Sequence, residues 1–456
     1  MPDDYDVLVI GGGMAGLVAG ISAAESGASV LVVRKGEGAT TMSSGAIDIA
    51  GYMVGGTAHF LSPVEGLVAY SELYPLHPYS SLGSSSSEEQ SIAESVVAAA
   101  RESVEWISHL LQNSSSEFVG TLDETILALT MFGTRKPTCL LQRTMYTNRL
   151  NNGDETLLVA GIKGLQYFSP SSAAKTMMDA VISGGEGPRK IIHTYLECRP
   201  FQKDYNISPI ELARYLETEE GLSQLTDQLV SQTKRTDASI IALPPIMGIK
   251  DPMKIKAHLE EATDAEVFEL LALPPSVPGY RLERSLQIAL ERCGGKLLLG
   301  HEASHFIMDD HHISQVTFDS PRRSYGIHPK SVILATGKLI GGGISGSVSG
   351  MQETVFGLPV LDASRLPVNG RRPHSLTEVI SVQPEGHELF GCGIGFDEHL
   401  RPTDASGDIF AQNLYAAGSI LSGYNYPAEK SGLGVAMATG RAAGKNAVTS
   451  MKGVAP

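Results

Sequence analysis

Cysteine is scarce and scattered. The four that occur, Cys139, Cys198, Cys293 and Cys392, are far apart and form no C-x-x-C pair. Neither an iron-sulfur cluster nor a zinc ribbon has its usual ligand spacing, so no metal site is expected, and reduced thiols in a cytoplasmic protein fit this usage. Basic residues are also in deficit: 35 Lys and Arg stand against 50 Asp and Glu, leaving a net charge of −15. Such a chain repels DNA, RNA and anionic headgroups, and nucleic acid is not an expected partner. A basic n-region is missing too, because the chain opens Met-Pro-Asp-Asp-Tyr-Asp, and export is not expected. One uncharged run, residues 7–24, has the length of a membrane span. Its triple glycine, Gly11-Gly12-Gly13, fits a tight turn between strand and helix instead, and no transmembrane segment is read.

What is present is an ordinary globular balance, 42% hydrophobic and 19% charged, in 456 residues, enough for two or three domains. Residues 6–10 (DVLVI) read as a buried parallel strand, 14–26 as a helix stopped by Gly27, and 29–33 (SVLVV) as the next strand, together a βαβ unit. Ser87 with Gln90 forms an S-x-x-Q capping box ahead of a helix reaching about Gln112, with Ile92, Val96, Ala100, Val104, Ile107 and Leu111 on its apolar face. Residues 115–274 mix helical patterns, turns and loops without a phosphate-binding glycine pattern, so they are expected to form a second, capping α+β domain. A proline-rich segment at 274–279 marks the return to the first domain. A helix at 282–292 and strands at 296–299, 304–308, 313–318 and 331–335 come next. The expected architecture is α/β: a doubly wound parallel-sheet domain in two parts, 1–114 and 275–456, with the cap at 115–274 between them.

Gly11, Gly13 and Gly16 form a G-x-G-x-x-G after a strand and at the opening of a helix, the context in which this pattern cradles a phosphate. The first glycine permits the turn, the second lets the backbone approach the anion, and the third lets helix pack on strand; Met14 and Ala15 supply the first helical amides. The second strand of such units usually ends in an acid that holds the adenosine ribose, yet here Arg34 and Lys35 stand there. Arg offers a hydroxyl no lone pair. Three readings remain open: FAD held without that contact, NADP held through its 2′-phosphate, or FMN, which has no adenosine.

Later segments favour flavin. Residues 332–337 (VILATG) resemble the strand and turn that flavoproteins with two dinucleotide folds place by the cofactor, at Ala335, Thr336 and Gly337. Residues 413–418 (NLYAAG) resemble their C-terminal strand ending at Gly418, and Ser431, Gly432 and Leu433 open a last small-residue helix. A helix N-terminus at the flavin's C2 carbonyl would stabilise the negative charge that appears on reduction.

The resemblance then becomes specific. Residues 43–48 (SSGAID), 77–79 (HPY), 161–165 (GIKGL), 274–282 (PPSVPGYRL), 400–402 (LRP) and 414–424 (LYAAGSILSGY) resemble the B subunits of the anaerobic glycerol-3-phosphate dehydrogenases, a fumarate-reductase-like flavoprotein family, over nearly the whole chain. That resemblance implies a non-covalent FMN, with FAD as the alternative. It also implies two partners, a flavoprotein A subunit and an iron-sulfur C subunit, the latter meeting the membrane quinone pool. One departure is 421–423 (LSG), where paired glycines are expected. No histidine occurs at 39–42 (ATTM), so a covalent histidyl link has no anchor.

Ser43, Ser44 and Gly45 are expected flavin neighbours, since small residues let a ring approach backbone. A phosphorylated polyol needs a cationic clamp, for which Arg281, Arg401 and Lys430 are candidates. Removing hydride from a carbinol carbon also needs a base, for which His59, His77 and Tyr424 are candidates. The leading expectation is a subunit that oxidises glycerol 3-phosphate, at the inner membrane face only through its partners. An electron-relay or scaffolding subunit, and a stand-alone dehydrogenase for another small alcohol or acid, are the alternatives.

Overall fold

A computed structural model describes residues 4–56, 58–83, 91–201, 206–368, 370–381 and 383–453. The chain opens with strand β1 (Asp4–Ile10), helix α1 (Met14–Glu25) and strand β2 (Val30–Arg34), within two residues of expectation. Ten of the twelve α1 residues are buried, so this helix has no solvent face and its small residues admit close neighbours. Helix α2 (Ile92–Leu110) begins with a capping box between Ser91 and Glu94; the Ser87 and Gln90 expected to form one lie outside the described residues.

The central stretch is built on β3 (Thr156–Ile162), α3 (Pro170–Ile182), β4 (Lys190–Leu196), α4 (Glu219–Thr236), β5 (Ile240–Leu243), α5 (Pro252–Thr263) and β6 (Glu266–Glu269). Its sheet runs β6-β5-β3-β4 and every pairing is parallel. Helices alternate with strands, and the order reverses between β3 and β5, as in a doubly wound domain. Short antiparallel pairs at Ile126–Leu129 with Arg135–Thr138 and at Phe118–Val119 with Leu141–Gln142 precede it. The stretch is therefore mainly a parallel α/β body with an antiparallel fringe, where an α+β cap was expected. Its buried strands β5 and β6 read only as short runs, four residues each.

The return brings α6 (Val277–Arg292), β7 (Lys296–Leu299), β8 (Glu302–Asp309), β9 (His312–Asp319), β10 (Ser324–Leu334), β11 (Leu414–Ala416) and α7 (Leu433–Met451). The large sheet runs β7-β2-β1-β10-β9-β8, with β11 also on β10. Strand β10 serves twice: residues 324–327 pair antiparallel with β9, and its later residues pair parallel with β1 and β11. The C-terminal ends of β1, β2, β10 and β11 thereby converge on one edge, with α1, α6 and α7 packed together beside them.

Candidate functional site

At that edge lies a cavity of about 800 Å³, within the range of small-molecule and cofactor sites. One end is walled by Gly11–Ala15, by Arg34 and Lys35 at the end of β2, and by His301, Glu302 and Ala303 at the start of β8. The wall also takes in Thr40 beside the glycine turn, then Met42, Ser43, Ala335, Thr336 and Gly337, and Phe390, Tyr424, Tyr426, Gly432 and Leu433 around the start of α7.

Two helices start at this cavity, and neither is capped by the side chain of its own N-cap residue. The N-cap of α1 is Gly13 and that of α7 is Gly432, and neither helix has an acid in its first turn. Unsatisfied amides and positive dipole ends at both termini make the cavity receptive to negative charge in two places. The glycines divide the work. A Cβ on Gly11 would fall 2.2 Å from the Ala335 carbonyl oxygen, and one on Gly16 would fall 1.8 Å from that of Gly11, so both are fixed by packing. A Cβ on Gly13 would meet nothing nearer than Thr40 Oγ1 at 3.5 Å, and one on Gly432 would meet nothing within 4 Å. Their open sides face the cavity. The Thr336 hydroxyl, on the same wall, is buried with no protein partner. Uncapped amides, open glycine faces and an orphaned hydroxyl fit a dinucleotide-sized flavin.

Some expected neighbours act otherwise. The Met14 amide donates to Thr40 Oγ1 at 2.8 Å, which leaves later amides of the turn for an anion. Thr40 itself was not singled out, although it lies in the quoted 39–42 segment. Gly16, Ser44, Gly45, Gly418 and Ser431 do not line the cavity. Gly45 packs on Pro278 and Gly418 on Ala15, both at positive φ. Arg34 is matched by Glu283 from α6 at 2.5 Å and Lys35 by Glu302 at 2.8 Å, so neither cation is bare.

Of the catalytic candidates only Tyr424 lines the cavity. Its hydroxyl donates to the Ser431 carbonyl at 3.0 Å, and burial pushes the phenol far above its ordinary value, so it is no base at neutral pH. His59 is exposed and its Nδ1 lies 2.9 Å from the Phe60 carbonyl oxygen. His77 is buried: Nδ1 accepts the Tyr79 amide at 3.1 Å and Nε2 lies 3.2 Å from Glu429 Oε2, leaving both ring nitrogens engaged. Arg401 is held by Asp397 at 2.8 Å, and Lys430 donates to the Gly56 carbonyl at 3.0 Å over the Tyr52 ring.

Arg281 is the clearest correction. It is fully buried, makes two bonds to Glu269 at 2.6 and 2.9 Å, and donates to the Gly248 carbonyl at 2.7 Å. Burial pushes the Glu269 carboxyl up, yet Arg281, Thr144 and the Met247 amide outweigh it and hold the carboxyl below its ordinary value. The pair joins α6 to the end of β6. It is a bolt between the two bodies, with no free donor fork for a substrate phosphate.

Among the described residues no group of three or more His, Cys, Asp or Glu is placed to hold a metal ion, and no helix is long and apolar enough to cross a membrane. The chain is 28% identical over 451 residues to the B subunit of an anaerobic glycerol-3-phosphate dehydrogenase of Vibrio vulnificus, covering 98% of this chain and 96% of the relative. It is 29% identical to the protein of the same name in Vibrio cholerae, covering 95% and 94%. A solved structure of 3-ketosteroid delta1-dehydrogenase from Sterolibacterium denitrificans is similar at 11% identity and a TM-score of 0.43, covering 98% of this chain and 100% of that one. The family model described as an FAD binding domain matches residues 6–435, which takes in the glycine turn, both sheets and the opening of α7. With the glycine turn and the helix termini placed around one cavity, the chain belongs to that FAD binding domain family of flavin-dependent oxidoreductases.

Proposed function

We propose that the chain is the FAD-carrying subunit of a quinone-linked glycerol-3-phosphate dehydrogenase, taking part in oxidation of glycerol 3-phosphate to dihydroxyacetone phosphate. The observation that carries this reading is the cavity spanning two uncapped helix N-termini, in a chain similar along nearly its whole length to proteins of that name. Gly11, Gly13, Ala15 and the α1 amides would hold the pyrophosphate, and Ala335, Thr336, Gly337, Ser43, Gly432 and Leu433 would flank the ribityl chain and ring. When bound, the flavin supplies a two-electron acceptor.

FAD is preferred here to the FMN expected from sequence. The cavity continues past the phosphate turn to His301, Glu302 and Ala303, space that an FMN would leave empty and an adenosine would fill. The missing ribose acid loses its force, because Arg34 is neutralised by Glu283 and offers no bare cation to a second phosphate. Electrons would leave through partner chains, a second flavoprotein and an iron-sulfur protein at the inner membrane face, since this chain's cysteines are dispersed.

A specific observation favours a second reading, in which this subunit relays electrons and the substrate binds on a partner: His59, His77, Arg281, Arg401 and Lys430 all stand off the cavity. Anaerobic mixing of the purified, flavin-loaded chain with glycerol 3-phosphate separates the two. Bleaching of the flavin in a single turnover is the expected result. Bleaching that appears only when the flavoprotein partner is added assigns the substrate site to that partner.

A further inference from the structure

Three cations line the cavity among the described residues: Arg34, Lys35 and Lys338. The first two are matched by Glu283 and Glu302. Lys338 has no acid within ion-pair distance among the described residues. It is 4% exposed, comes directly after Ala335-Thr336-Gly337, and donates to two backbone carbonyls, Phe390 at 2.6 Å and Tyr424 at 2.7 Å. An ammonium has three N–H donors, so two anchored bonds leave the third without an acceptor among the described residues. Phe390 and Tyr424 both line the cavity, and the Tyr424 hydroxyl bonds the Ser431 carbonyl just ahead of α7, so the ammonium is fixed in the wall beside the start of that helix.

A buried, unmatched ammonium is destabilising where nothing answers its charge. Burial pushes the Lys338 amine down to about 7, with Cys392 and Glu429 acting in the opposite direction. Two carbonyls and a preceding glycine turn nevertheless hold the side chain at one spot in the wall. A cation kept in place at such a cost is a cation with a negative partner to meet, as functional-site lysines are.

We propose that Lys338 is the cofactor-facing cation that stabilises the negative charge gained by the flavin ring on reduction, acting beside the N-terminus of α7. This rests on the flavin reading of the cavity. It assigns to an anchored side chain a charge role that the helix dipole alone would fill less completely, because the ammonium, once protonated against the reduced ring, carries a full charge in a low-dielectric wall where a helix end carries about half.

The test uses purified, FAD-loaded protein and two readouts that need no substrate: the two-electron reduction potential of the bound flavin, and the dissociation constant of sulfite, whose addition to the ring leaves negative charge on it. Lys338→Gln keeps a donor for the carbonyls and removes the charge; Lys338→Met fills similar volume without either. Both are expected to raise the sulfite dissociation constant at least about tenfold and to lower the potential, by about 30 mV for a tenfold change in a two-electron couple. Lys338→Arg, which keeps the charge, is expected to stay within about threefold of the native protein. Variants that bind FAD with native sulfite affinity and potential overturn the proposal, as does an arginine variant no better than the glutamine one. A native chain that takes up no flavin would instead reject the reading beneath it.

Discussion

Two sheets with a doubly wound parallel core sit in this chain, the larger extended by antiparallel strands, and among the described residues it is the larger whose edge opens on the wide cavity. At the edge of the large sheet, β1 runs into Gly11-Gly12-Gly13 and α1 starts uncapped at Gly13. In the central sheet, the same place in the topology, beyond the ends of β3 and β5, is a space of only about 10 Å³ lined by Leu165, Tyr167, Pro244, Pro245 and Ile246. That is no more than a single water needs. Helix α3, the counterpart of α1, is capped by Ser169, whose hydroxyl accepts the Ser172 amide at 3.3 Å. A doubly wound sheet offers a crevice at its switch point. Whether the crevice becomes a site is decided by the residues just beyond the strands: glycines and free amides in one body, prolines and a satisfied cap in the other.

The contact between the bodies gives the largest expected effect. Arg281→Met strands the Glu269 carboxylate in the interior and is expected to destabilise the protein by about 3–5 kcal/mol, measured by denaturant unfolding. Adding Glu269→Leu to it is expected to recover most of that loss, and a double variant as unstable as the single one would show that the bolt matters by shape and not by charge. The native pair should also shape the acid limb. With the Glu269 carboxyl held below its unfolded value, its contribution is full above the ordinary carboxylate range and is lost as pH falls through the folded value. A Glu269→Leu, Arg281→Met double variant is expected to show a shallower decline in stability between about pH 5 and pH 3 than the native chain.

Next comes the glycine turn. Gly13 has an ordinary φ of −83° and open space beside it, so Gly13→Val is expected to fold with a loss under about 1 kcal/mol while flavin affinity falls at least about a hundredfold. Equilibrium titration with FAD and thermal unfolding of the same preparation check both halves. Gly16→Val is expected to behave in the opposite way and to fail at folding, because its side chain would overlap the Gly11 backbone.

The smallest effect belongs to the closed crevice. Ser169→Ala frees the amides at the start of α3 and is expected to cost about 1 kcal/mol without altering flavin content, because no residue of α3 lines the large cavity. Flavin lost on this substitution would mean that the two bodies are coupled more tightly than their separate cavities imply.

Legibility from sequence divides along the same line. The βαβ unit, the glycine turn, the 332–337 segment and the last helix were legible because each is a local pattern with a local physical cause. The parallel sheet of the central body was not, since β5 and β6 are four-residue strands. Charged side chains misled for a different reason. Arg281 and His77 lie in family-like segments, but Glu269 and Glu429 reach them through the fold, and burial turned both into fully bonded structural groups. Lys338 was overlooked beside a segment quoted for its small residues, because nothing local announces that a lysine will be buried.

The most direct measurement is the identity and amount of cofactor released by acid from the purified native chain and from Gly13→Val. About one FAD per native chain is expected, and almost none from a folded Gly13→Val protein. A native chain that releases no flavin and binds neither FAD nor FMN, or a Gly13→Val protein with full occupancy, would contradict the placement of the flavin between the two uncapped helices.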